Sequence, residues 1–127
     1  MRIGIQTPTG TPFEFEINHE NQTILIISSN NNQHEYSLTA LKDLYDWLKI
    51  DNNSQWVLLG TQGEENEPAQ NTVEEGARSP NNPNNGFVGI TAGRRGLFAS
   101  YVPSILEHFG FLEVEHNARN NRVRAIT

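Results

Sequence analysis

Cysteine is absent from the 127 residues, which excludes a disulfide framework, a thiolate-bound metal and a thiol nucleophile. Long apolar runs are missing too. The opening MRIGIQTPTG has no signal-peptide core, and no segment approaches the ~20 apolar residues of a membrane helix. The expectation is a soluble cytoplasmic protein with no membrane partner. Catalytic signatures are equally scarce. Four histidines (His19, His34, His108, His116) are scattered without an HExxH spacing, and no Walker loop or dinucleotide glycine pattern is present. The chain therefore reads as a non-catalytic protein with no catalytic residues, no metal site and no cofactor.

Positive charge is the next shortage. Nine Lys and Arg face fifteen Asp and Glu, for a net charge of −6, a balance that favours solubility over polyanion binding. The deficit is uneven. Residues 1–86 carry four basic groups against twelve acidic ones, whereas residues 87–127 carry five arginines against three glutamates. Arginine suits planar, bidentate contacts with phosphate or carboxylate, so any anionic partner is expected in the last third.

What is present is clear local patterning. RIGIQ, FEFEI, TILIIS and QHEYSL, separated by TPTGTP, NHENQ and SNNN, predict four short antiparallel strands over residues 1–38, with Ile3, Ile5, Phe13, Phe15 and Ile17 facing inward. Ser37 or Thr39 can cap a following helix whose apolar positions are Leu41, Leu44, Tyr45 and Leu48. WVLLG, residues 56–60, reads as a short buried strand, and Trp47 and Trp56 as core or near-core aromatics. Thr72 and Glu75 have the spacing of a capping box and predict a two-turn helix to Arg78. The Asn-, Pro- and Gly-rich stretch after it predicts a mobile loop over 79–93. A last helix is expected from Ser100, which would place Pro103 in the first turn; the alternative start is near Leu97, with a kink. Gly110 should end it.

The final segment predicts a hairpin closing on residues 117–120. In that register Glu115 faces Arg122 and Glu113 faces Arg124, while Val114, Val123, Leu112 and Ala125 point to the core. Arg122 and Arg124 are thus expected to be structural, and Arg119 at the tip to stay available.

The order helix, strand, helix, helix, hairpin, together with ILEHFGFLEVEH…RVRAI, resembles the winged helix-turn-helix family. The resemblance implies an α+β chain: a β-meander (1–38) followed by a winged-helix-like unit (39–127) with a long insertion at 79–99. It also implies that nucleic acid meets the start of the third helix (Ser100, Tyr101, Ser104) and the wing tip (Asn117, Arg119, Asn120). GRRG, residues 93–96, adds Arg94 and Arg95 beside a helix N-terminus, where free N–H groups favour anions. Two other readings stand beside DNA binding. One is a protein-interaction module or homodimer pairing through exposed meander edges. The other is a binder of a small anionic ligand, such as a nucleotide, held between GRRG and the wing. A concave positive site would favour the ligand, and a convex positive face the nucleic acid.

Overall fold

The computed structural model describes residues 2–60, 70–78 and 95–127. Four strands come first, β1 (Ile3–Gln6), β2 (Pro12–Asn18), β3 (Thr23–Ser28) and β4 (Gln33–Ser37), in one antiparallel sheet of order β1-β2-β3-β4. Their register sets Ile3 opposite Phe15, Phe15 opposite Ile26, and Ile24 opposite Tyr36. Because side chains alternate across a strand, this pairing gathers the large apolar groups on one face. Phe13, Phe15, Ile24, Ile26 and Tyr36 are buried there, and Ile3, Ile5 and Ile17 pack partly buried around them.

Ser37 ends the sheet and starts the first helix, α1 (Leu38–Asp46). Its side chain accepts from the Ala40 N–H at 3.1 Å, so of the two possible caps Ser37 is the one used. Leu41, Leu44 and Leu48 are buried at helical spacing. A π-helical turn, Trp47–Asp51, closes the helix. Next comes β5 (Val57–Leu58), then α2 (Val73–Arg78). The Thr72 hydroxyl accepts from Glu75 N–H at 3.1 Å, and the Glu75 carboxylate accepts in return from Asn71 N–H at 2.8 Å. The return bond therefore lands one residue before the cap, an offset form of the reciprocal box.

The long helix α3 spans Arg95–His108, with Pro103 as its ninth residue. This corrects the expected start at Ser100: Ser100 is a mid-helix residue, and the start lies close to the Leu97 alternative. The linker between α2 and α3 accordingly covers 79–94 rather than 79–99. Packing accounts for the difference. Phe98 and Val102 are fully buried and Ala99 nearly so. Burying a Phe or Val stabilises by roughly 1.5–3 kcal/mol each, which together offsets the ~3 kcal/mol cost of an interior proline. The expectation of mobility over 79–93 lies outside the described residues.

Gly110, at φ +86°, ends α3 as expected. Its N–H donates to Glu107 O and the Phe111 N–H to Leu106 O, both at 3.0 Å. These are the paired bonds of a Schellman motif. Strands β6 (Leu112–Val114) and β7 (Arg122–Ala125) follow in the predicted register, Glu113 opposite Arg124 and Val114 opposite Val123. β5 pairs antiparallel with β7, giving a second sheet of order β5-β7-β6. The fold is thus α+β, a four-stranded sheet followed by helices and a small second sheet. One apolar cluster contains side chains of both sheets and all three helices. α3 packs against β1, α1, α2 and β6. Its Tyr101 meets Phe13 edge to face at 4.8 Å, and its Phe98 meets Tyr36 at 5.3 Å. Among the described residues, no helix is long and apolar enough to cross a membrane.

Candidate functional site

Four parts of the chain meet around a cleft of about 320 Å3. The first wall is the β1–β2 turn, with Thr7, Pro8, Thr9 and Thr11 on the cleft. Its shape is set locally. The Thr7 N–H donates to Thr11 O at 2.8 Å, the Gly10 N–H to Thr7 O at 2.9 Å, and the Thr11 N–H to the Thr7 hydroxyl at 3.0 Å. Gly10 takes φ +97°, a conformation that costs glycine little. The turn thus sets three threonines along the cleft on a braced backbone, with the Thr7 hydroxyl engaged inside the turn by the Thr11 N–H and 3.4 Å from the Thr9 hydroxyl.

The opposite wall is the β6–β7 loop, which contributes Ala118, Arg119, Asn120 and Asn121. Asn121 is buried, and its side chain closes the loop from inside. Oδ1 accepts from Asn117 N–H at 2.6 Å, and Nδ2 donates to Asn117 O at 3.0 Å. Asn120 sits at φ +59°, a left-handed position that asparagine tolerates. With the loop so fixed, Arg119 is exposed on the rim, and no described residue pairs with its guanidinium.

The third side is α3, through Ala99, Ser100 and Tyr101. Pro103 has no N–H to give the Ala99 carbonyl, so the ordinary helical bond to that cleft-lining group is missing. The last side is the end of β5, Leu59 and Gly60. Gly60 has φ +107°, and a Cβ there would lie 2.6 Å from Glu74 Cγ, so only glycine fits. The Glu74 N–H donates to Leu59 O at 3.0 Å, tying this wall to the first turn of α2.

The expected site residues divide as follows. Ser100, Tyr101, Arg119 and Asn120 all line the cleft. Tyr101 is half-buried, held edge-on by Phe13 and stacked on His34 at 6.1 Å, so its ring serves the wall rather than a ligand. Asn117 stands beside the cleft with its backbone taken up by Asn121. Ser104 is only 2% exposed, and its hydroxyl is buried without a partner among the described residues, so it presents nothing to a ligand at the surface. Arg94 lies outside the described residues, and Arg95 is described only as the first backbone residue of α3. GRRG therefore runs into the helix instead of preceding it.

Arg122 and Arg124 are engaged as the register predicts. Arg122 donates to Glu115 at 2.7 Å and Arg124 to Glu113 at 2.7 Å. Both guanidiniums also lie over the half-buried Trp56 ring, at 5.0 and 4.7 Å from its centre. The hydrogen bond from Arg122 holds the Glu115 carboxyl below its ordinary range, and the same bond raises Arg122. The partial negative face of the indole favours cations, so each arginine has two local attachments.

Sequence reasoning missed the threonine wall, Gly60, and the role of His116. The His116 ring bridges Pro8 O, 3.2 Å from Nδ1, and the Glu107 carboxylate, 2.9 Å from Nε2. The only local hint was TPTGTP, which reads equally well as an ordinary turn. Among the described residues, no three His, Asp or Glu side chains are placed to hold a metal ion.

The chain matches a family of unknown function, DUF6855, over residues 3–126. It belongs to that family. No curated protein and no solved structure matches it. Every described element of the DUF6855 chain, from β1 to β7, falls within the matched span.

Proposed function

We propose that this protein binds a small anionic ligand in the cleft between the β1–β2 turn and the β6–β7 loop, without catalysis. The observation that carries the proposal is Arg119: an exposed guanidinium, without an acidic partner among the described residues, on the rim of a concave site bordered by threonines. A cleft of about 320 Å3 lies at the small end of ligand sites, which run from roughly 300 to 1,000 Å3. Hydroxyls and amides supply hydrogen bonds, and Arg119 supplies charge with a fork suited to oxyanions. A phosphate monoester or a nucleotide phosphate fits this combination.

A second reading is nucleic-acid contact through the hairpin as a wing. It is favoured by the pairing of β5, which lies between the first two helices, with the hairpin strand β7, and by the exposure of Asn117, Arg119 and Asn120. Less favourable is α3, whose Val102, Ser104, Ile105 and Leu106 are buried, since a helix that reads bases must enter the major groove.

Titration with inorganic phosphate, a nucleoside monophosphate and duplex DNA, at low and near-physiological salt, tests both. Saturable phosphate or nucleotide binding that Arg119→Ala abolishes and Arg122→Ala preserves supports the cleft. Duplex binding alone, with a salt slope reduced by about 0.9 in Arg119→Ala, supports the wing. Absence of saturable binding to all three at low ionic strength defeats both.

A further inference from the structure

The two ring nitrogens of His116 face acceptors only. Nδ1 lies 3.2 Å from the Pro8 carbonyl oxygen, and Nε2 lies 3.0 and 2.9 Å from the two Glu107 carboxylate oxygens. A neutral imidazole carries one N–H and can satisfy one of these acceptors; the imidazolium carries two and satisfies both. The geometry is therefore that of the charged ring. On loss of a proton the stronger, charge-assisted bond to Glu107 is retained, and the Nδ1 lone pair is left facing the Pro8 oxygen. The bond that breaks is the one to the β1–β2 turn. Among the described residues, it is also the hydrogen bond that joins this turn to the hairpin.

We infer that His116 is a pH-operated latch on the cleft: protonated, it clamps the β1–β2 turn to α3 and the hairpin, and deprotonated, it releases the wall that carries Thr7, Thr9 and Thr11. The charged groups around it come from known elements. Glu107 faces it from α3; the turn, residues 7–11, carries no charged side chain; on the hairpin, Glu115 is paired with Arg122, and Arg119 lies on the loop. The hydrogen bond to Glu107 and the charge of its carboxylate raise the His116 pKa above the ordinary imidazole value, against the opposing effect of partial burial. The latch thus opens at a higher pH than an unpaired imidazole would. Its consequence for ligand capture rests on the anion-binding reading; the clamp itself does not.

An NMR pH titration of the intact protein tests this without any ligand. The expected result is that His116 titrates above about 6.5, the ordinary imidazole value, and that the Thr9, Gly10 and Thr11 amides shift with the same midpoint. In Glu107→Gln a carboxamide N–H can donate to neutral Nε2 while Nδ1–H holds Pro8. The turn amides should then stop responding across the wild-type range. Turn amides that ignore the His116 titration overturn the latch, as does a wild-type midpoint at or below the ordinary value. So does a Glu107→Gln turn that still titrates with the wild-type midpoint. A parallel titration with inorganic phosphate should show binding several-fold weaker above the midpoint. If phosphate never binds while the turn amides still follow His116, the latch stands and the ligand reading falls.

Discussion

A methyl group placed on Gly60 would lie 2.6 Å from Cγ of Glu74, well inside van der Waals contact. Glu74 is 3% exposed, so its side chain has little room to retreat. The backbone at φ +107° adds a second penalty for any residue with a Cβ. Gly60→Ala is expected to destabilise the fold by about 1–3 kcal/mol and to disturb the cleft wall it forms. Urea unfolding gives the first quantity and the Leu59 and Thr72 amide shifts the second. A loss under about half a kcal/mol would mean that Glu74 swings clear.

Phe15 is completely buried, opposite Ile26 in the sheet and near Phe109 of the α3 terminus at 6.0 Å. Phe15→Ala should cost about 3–5 kcal/mol. A much smaller change in the unfolding midpoint would show that the sheet and α3 do not share a core.

The Ser104 hydroxyl has no hydrogen-bond partner among the described residues although it is buried within α3. A buried unsatisfied polar group costs about 1–3 kcal/mol, and alanine is the better helix former by up to roughly half a kcal/mol. Ser104→Ala is therefore expected to stabilise the protein, by about 1 kcal/mol, and to leave anion binding unchanged. Destabilisation on thermal unfolding would reveal that the hydroxyl is used.

Arg119 and Arg122 lie three residues apart and should behave differently. Arg122→Ala removes an exposed ion pair and the packing of its guanidinium on Trp56; exposed pairs contribute little because solvent screens them, so a small loss of stability with intact binding is expected. Arg119→Ala should leave stability unchanged and remove anion binding. Equal binding by both variants, measured calorimetrically against phosphate, would contradict the assignment of roles.

The sign of the pH dependence follows from His116. Its pKa is raised in the folded state, so its contribution is fully present below the unfolded imidazole value and disappears as pH rises through the folded one. The side chain is about half exposed, so the change is under about 1 kcal/mol. Glu115 acts oppositely, since its pKa is lowered. Its contribution is present above the ordinary carboxyl range and lost as pH falls through its folded value. Stability should therefore decline on both sides of a maximum lying between the ordinary carboxylate and imidazole values, and His116→Gln should flatten only the alkaline side.

Much of the fold is legible in the sequence because its causes are local. Alternation in FEFEI and TILIIS sets which side chains face inward, Ser37 and Gly110 mark helix ends by their own hydrogen-bonding and φ preferences, and opposite charges at 113, 115, 122 and 124 fit a single hairpin register. Pro103 misleads because its local cost is visible in the sequence while the burial of Phe98 and Val102, which offsets it, depends on a sheet far away along the chain. The cleft is legible only in fragments: Ser100, Tyr101, Arg119 and Asn120 stand out separately, while its threonine wall looks like any turn. Residues 7–11, 59–60, 99–101 and 118–121 meet only when α3 is packed between the two sheets. Local propensity determined the elements of this protein; the shared apolar core decided which of their ends would face one another.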